Sequence, residues 1–274
     1  MNVKQNDNAI NLSILLILVF VLTHLLYASV SRSVLSTSVV GLVLACSSIV
    51  AVMKHKHRLL EGEIERVKRA LVEAFADQAE QKDTYTAQHL KRITLFTTLL
   101  TKEMQRVGKF CKTLTPHFRK DIILGSMLHD VGKIVVPNEI LNKPGKLTDE
   151  EYAVMKQHTI KAGELIGKIC HNLQQKEGEQ CYLTTAQQIA LYHHERYDGK
   201  GYPAGLSGEG IPLAARIVGL VDTYDAIRSK RSYKETKTHQ DAVQEILKER
   251  GKQFDADIVD AFMRIEKQFE GVQF

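Results

Sequence analysis

The chain has 274 residues, 44% of them hydrophobic and 25% charged, with 17 glycines and five prolines. That length suits one domain or a small pair with a sizeable core, and the composition excludes a disordered chain, a collagen-like repeat and a disulfide scaffold. The net charge of +5 points towards an anionic partner, but residues 1–58 carry five Lys/Arg against one acid, and the other 216 residues carry 32 against 31. A nucleic-acid platform needs a basic face on the folded domain, so this distribution argues against a nucleic-acid polymer as partner.

Residues 10–28 are an almost continuous run of Ile, Leu, Val and Phe without Lys, Arg, Asp or Glu, and residues 34–53 are a second such run. Each has about the 20 residues that span a bilayer. A cleavable signal peptide is the alternative for the first, but the run is long for that and a second follows almost at once. The short turn around residues 29–33 makes the pair an antiparallel hairpin of two transmembrane helices, residues 1–58. Lys54-His55-Lys56-His57-Arg58 follows directly, and such a cluster stays in the cytoplasm, so both termini are expected there. His24, inside the first run, is read as a neutral interfacial histidine rather than a functional intramembrane group. Cys46, Cys111, Cys170 and Cys181 form no paired motif, which suits reduced thiols in a cytosolic domain.

Residues 59–82 read as a connector helix. Leu60, Ile64, Val67, Leu71 and Ala74 recur at heptad spacing with charged residues between them. The stripe is either a parallel dimer seam or an amphipathic face packed on its own domain. Beyond it, Ile93-Leu95-Phe96-Leu99-Leu100, Ile122-Ile123-Leu124-Met127-Leu128 and Ala242-Val243-Ile246-Leu247 have helical spacing. Thr148-Asp149-Glu150-Glu151 has the form of a helix start with a capping box. Prolines 116, 137, 144, 203 and 212 are placed between helices, and no stretch alternates with period two. An all-α domain is expected.

The chemistry lies in the histidines. An isolated histidine is usually an ordinary polar residue, and His117, His171 and His239 are left in that class. His129-Asp130 and His193-His194 differ: each dyad closes an apolar helical run, and the second leads into a glycine-rich loop. His89 and His158 are further candidates, and Asp222 offers another carboxylate. Imidazole and carboxylate together suit iron or manganese, and the lack of clustered cysteine argues against structural zinc.

His129-Asp130-Val131-Gly132-Lys133 and His193-His194-Glu195-Arg196-Tyr197-Asp198-Gly199-Lys200-Gly201-Tyr202-Pro203 resemble the two defining motifs of the HD-GYP phosphodiesterases. The stretch from Val136 to Thr148, Ile211-Pro212-Leu213, Val221 to Ala226 and Gln253-Phe254-Asp255 continue the resemblance, which covers about residues 65–270. It implies an HD-superfamily helical domain that hydrolyses cyclic di-GMP at a metal centre; the two apolar runs and the basic cluster put that domain on the cytoplasmic side of the bacterial inner membrane. Residue by residue the resemblance implies metal ligands at His89, His129, Asp130, His158, His193, His194 and Asp222, with Asp130 bridging. Lys133 falls at the place beside the scissile phosphate, and Arg231 and Lys234 at places that contact substrate phosphates. A homodimer and diguanylate cyclases are the protein partners implied.

Some family members place a Glu four residues before the first ligand histidine to help hold a third metal. Tyr85 stands there in this chain, with Asp83 a remote substitute, so two divalent ions, iron or manganese, are expected. Two adjacent cations lower the pKa of a shared water and neutralise phosphoryl oxygens, and Lys133 adds a point charge. Gly199 and Gly201 allow a loop that bulkier residues would not, and Glu195 is read as orienting a histidine. The resemblance implies linear pGpG as product and leaves open whether cleavage continues to GMP. Cyclic GMP-AMP hydrolysis and a non-catalytic binding module are the competing functions.

Overall fold

The structure, a computed structural model, describes residues 19–21, 23, 32–80, 88–106, 109–177, 183–229 and 237–272. Among them there is no strand, only an isolated bridge between Arg250 and Phe254, so the expected helical architecture holds. The chain divides into two compact units, Met1–Val67 and Lys68–Phe274.

The second apolar run and the connector are not separate helices: α1 extends unbroken over Arg32–Glu80 and begins inside the expected turn. It contains no proline, and its two glycines, Gly41 and Gly62, each cost a helix only about 1 kcal/mol. One stretch, Val39–Ala79, is long and apolar enough to cross a membrane, with an 18-residue window of mean hydropathy 1.6 and none of it buried. Most of the first run, His24 included, lies outside the described residues, so a single candidate span stands among them. On α1 the heptad stripe is exposed, Leu60 at 47%, Ile64 at 52%, Val67 at 59% and Leu71 at 66%. The helix packs on its own domain by a different face, through Val72, Ala76 and Ala79.

The second unit continues with α2 (Gln88–Arg106), α3 (Pro116–Ser126), a 3-10 turn (Val131–Val135), α4 (Asn138–Leu141), α5 (Asp149–Glu177) and α6 (Thr184–Tyr192). A second 3-10 turn (Gly208–Gly210), α7 (Leu213–Arg228), α8 (His239–Lys248), α9 (Ala256–Met263) and α10 (Glu266–Glu270) follow. Local chemistry sets these starts. The Glu151 amide donates to Thr148 Oγ1 at 3.3 Å and the Thr148 amide to Glu151 Oε2 at 2.8 Å, forming the expected capping box. Thr238 and Asp241 form another at α8. Pro116 lies inside α3 rather than before it, but in the first turn, where a missing N–H costs nothing.

On α2, Ile93, Phe96, Leu100 and Met104 share one buried face, whereas Leu95, off that row, is 42% exposed. Phe96 stacks on Phe269 at 4.3 Å and meets Tyr224 edge-on at 5.3 Å. Through such contacts α2 packs on α3 and α7, and α6 packs on α3, α5 and α7. Among the described residues Cys46 and Cys111 are free, as expected, but Cys170 is disulfide-bonded, which corrects the expectation of reduced thiols throughout. Spacing in sequence does not report proximity in space, so the missing paired motif was no guide.

Phe96→Ala is expected to destabilise the domain by about 3–5 kcal/mol, read as a lower midpoint of urea unfolding.

Candidate metal centre

Seven side chains from five segments converge in the second unit. Asp130, His158, His193 and His194 form one group, and His89, His129 and Asp222 a second, the donor atoms of each lying within 4.8 Å of one another. These are the seven positions singled out as ligands. His89 is the second residue of α2, His129-Asp130 follow α3, His158 is on α5, His193-His194 follow α6, and Asp222 is on α7.

Glycine lets these segments approach. A Cβ on Gly132 would stand 1.9 Å from the carbonyl oxygen of His158, so only a bare backbone brings the turn after Asp130 against α5. The histidines are then held by their far nitrogens. His129 Nδ1 donates to the Ser126 carbonyl at 2.8 Å, His158 Nδ1 to Met155 at 2.7 Å and His193 Nδ1 to Ile189 at 3.0 Å. His89 Nδ1 donates to the Asp225 carboxylate at 2.7 Å. With Nδ1 engaged in this way, each Nε2 is turned towards the centre.

Asp130 lies between the groups. Its Oδ1 is 3.3 Å from His158 Nε2 and 3.7 Å from His193 Nε2; its Oδ2 is 3.2 Å from His129 Nε2 and 2.6 Å from Lys133 Nζ. Asp222 Oδ1 is 3.7 Å from His129 Nε2 and 4.0 Å from His89 Nε2. Two ligand atoms about 2.1 Å from one ion and roughly a right angle apart are about 3 Å from each other. The observed separations are that distance or a little more.

The residues fit a cation. His129 Nε2, His158 Nε2, His193 Nε2 and Asp130 Oδ1 are shut off from solvent and make no hydrogen bond. An unpartnered buried polar atom costs about 1–3 kcal/mol, so four in one place point to a missing acceptor of lone pairs. Burial drives His158, His193 and His194 below the ordinary imidazole pKa, His194 to about 4, which keeps them neutral and able to ligate. Burial pulls His129 the same way, but the Asp130 and Asp222 carboxylates outweigh it and hold its pKa well above the ordinary value. Burial also opposes ionisation of those two carboxyls, yet Lys133 and His129 at Asp130, and His129 and His89 at Asp222, hold both well down. A cation would replace the proton that these carboxylates keep on His129.

Glu195 does not orient a histidine. It accepts backbone N–H bonds from Ala204 at 2.7 Å and Leu206 at 3.1 Å, because the loop folds back over it and its amides reach the carboxylate first. The loop needs both glycines: Gly199 has φ +77°, and a Cβ on Gly201 would lie 2.3 Å from the Arg196 nitrogen. Arg196, unassigned from the sequence, ties the loop to Asp198 and to Glu249 beyond α8. Arg92 and Asp225 were also missed, although each lies one helical turn from a ligand. Arg231, Lys234, Tyr85 and Asp83 lie outside the described residues. Beside the centre, a cavity of about 310 Å³ is walled in part by His194, Tyr152, Lys200, Tyr202, Arg216 and Gln253. Tyr202 stacks on His194 with ring centres 4.8 Å apart.

The family described as HD domain matches residues 73–258. The chain is 39% identical over 210 residues to a Vibrio cholerae protein named "probable cyclic di-GMP phosphodiesterase", covering 76% of this chain and 46% of that protein. It is 37% identical over 219 residues to the cyclic di-GMP phosphodiesterase response regulator RpfG of Xanthomonas campestris, covering 79% and 53%. A 3'3'-cGAMP-specific phosphodiesterase 2 of Vibrio cholerae is 34% identical over 176 residues, covering 62% and 32%. The chain thus spans about half the length of the first two relatives and a third of the last.

Glu195→Ala removes the acceptor of two loop amides. Faster hydrogen exchange at Ala204 and Leu206 is expected, with the α2 amides unchanged, measured by mass spectrometry.

Proposed function

The chain belongs to the HD domain family, and from that premise we propose that it is a metal-dependent phosphodiesterase that opens cyclic di-GMP to linear pGpG. The observation that carries this reading is the convergence of two imidazole–carboxylate donor sets with four orphaned donor atoms. The names of the relatives supply the substrate class.

Asp130, His158, His193 and His194 would hold one ion and His89, His129 and Asp222 the other, with the two oxygens of Asp130 facing both sets. Bound there, two divalent cations would neutralise non-bridging phosphodiester oxygens and acidify a water. A donor set without thiolate supports iron or manganese. Lys133 holds its ammonium 2.6 Å from Asp130 Oδ2, at the edge of the centre, where it would meet negative charge growing on the phosphoryl group. Tyr152 and Tyr202 offer ring faces for a purine at the adjoining cavity. Arg231 and Lys234 would hold the second phosphate, an assignment resting on the sequence resemblance. Cyclic GMP-AMP is the second reading, supported by the name of the third relative.

The catalytic domain is assigned to residues 65–270, behind an anchor at 1–58 and a connector at 59–82. A two-pass anchor in the bacterial inner membrane is supported by the two apolar runs and by Val21, which lines a groove with Leu42, Cys46 and Val50. A parallel homodimer is supported by the exposed stripe from Leu60 to Leu71 and by charge. In a parallel pair in register, Lys56 of one copy would face Glu61 of the other, and Glu63 would face Lys68, both attractive. A diguanylate cyclase as further partner rests on the resemblance alone.

Full-length protein loaded anaerobically with Mn(II) or Fe(II) is expected to convert cyclic di-GMP to pGpG faster than it converts cyclic GMP-AMP, followed by chromatography. His129→Ala and Asp130→Ala should each abolish turnover. Wild-type turnover by metal-free Asp130→Ala would sink the metal mechanism, and faster cyclic GMP-AMP cleavage would install the second reading. For the dimer, Ile64→Cys should crosslink under mild oxidation more than the parent chain with Cys46 and Cys111; equal crosslinking would count against the seam.

A further inference from the structure

Asp225 is fully buried on α7, one helical turn beyond Asp222. A carboxylate without water is costly unless its oxygens are fully paired. Its Oδ1 accepts from Arg92 Nε at 2.6 Å. Its Oδ2 accepts from His89 Nδ1 at 2.7 Å, Arg92 Nη2 at 3.0 Å and Ser229 Oγ at 3.2 Å. Arg92 Nη2 also reaches Ser229 Oγ at 3.0 Å, so carboxylate, guanidinium and hydroxyl form one closed group.

His89 differs from the other histidines in what holds its far nitrogen. His129, His158 and His193 each have a preceding helical turn, and each fixes its ring on a carbonyl three or four residues back. His89 Nδ1 is instead paired with a carboxylate on another helix, at 2.7 Å. Asp225 on α7 supplies that acceptor. The two helices are in step: His89 and Arg92 are three residues apart on α2, and Asp222, Asp225 and Ser229 are three and four apart on α7. One turn therefore faces the centre while the next locks the first. Arg92 has a second effect. Its guanidinium pairs both oxygens of Asp225 and so fixes Oδ2 in place for the His89 Nδ1–H.

We infer that Asp225, braced by Arg92, is a positioning residue that fixes the ring and tautomer of His89 and so controls occupancy of the cation site formed by His89, His129 and Asp222. A charged acceptor behind an imidazole also strengthens it as a ligand. The inference rests on the two-cation reading above. It assigns a separate job to a residue pair outside the seven side chains of the two donor sets.

The test uses the full chain in detergent, anaerobic, with Mn(II) as probe. Bound metal is measured after gel filtration, affinity by chelator competition, and ion pairing by electron paramagnetic resonance. The parent chain should bind two ions with a spin-coupled signal. Asp225→Asn should keep one ion at unchanged affinity, weaken the other by about 10–100-fold, and give the signal of an isolated Mn(II). If Asp225 serves only to neutralise Arg92, the double variant Arg92→Leu/Asp225→Asn restores the second ion; on the positioning role it does not. That variant also decides the matter if the single one fails to fold through a stranded guanidinium. Two ions at parental affinity in either variant overturns the inference while leaving the two-cation reading intact. A parent chain that binds no Mn(II) overturns both.

Discussion

Asp130 places a negative charge where water is nearly excluded, and a charge there is stable only when several partners share it. Lys133 takes one side of Oδ2, His129 lies beyond it, and Oδ1 is left to His158 and His193. Lys133 and His129 come from the segment of Asp130 itself, whereas His158 and His193 are delivered by two others. The bare Gly132 backbone against His158 and the α2–α7 core around Phe96 and Tyr224 bring the five segments to one centre.

Around this centre the supports differ in kind. Three histidines are held by carbonyls of their own helical turns, a local and neutral arrangement that costs the rest of the fold nothing. His89 depends on another helix, and the group that holds it is charged and fully buried. The loop after His194 is held in a third way, by Glu195 from within and by Arg196 reaching beyond α8. Disturbing a neutral local tether moves one ring, whereas disturbing a buried charged group disturbs the packing of two helices.

Four of the clustered side chains were legible as candidates because the dyads are adjacent and each closes an apolar run, whereas His89, His158 and Asp222 were joined to them as expected ligands by the family resemblance. Helices were legible for the usual reasons, the row from Ile93 to Met104 and the Thr148 box among them. Tertiary partners were not. Arg92 and Asp225 sit on helices whose faces are polar in sequence for reasons visible only when α2 and α7 are side by side. Glu195 follows two histidines, and proximity in sequence suggested a tie to one of them, but its partners are amides nine and eleven residues on. The join between the second apolar run and the connector was invisible too: a basic cluster reads as a boundary, yet Lys, His and Arg are tolerable helix formers and nothing at residues 54–58 stops α1.

The four orphaned atoms have a consequence for the amount of protein as well as for chemistry. Each unmet lone pair weakens the folded state by about 1–3 kcal/mol, a large share of the 5–15 kcal/mol that holds a typical domain together. A ligand that satisfies them adds stability by mass action, in proportion to the logarithm of its free concentration over its dissociation constant. Under the two-cation reading, a chain synthesised when transition metals are scarce spends more time open and is cleared sooner by proteases. The cell's metal supply would then set how many copies persist, independently of any inhibitor or regulator acting on those that remain.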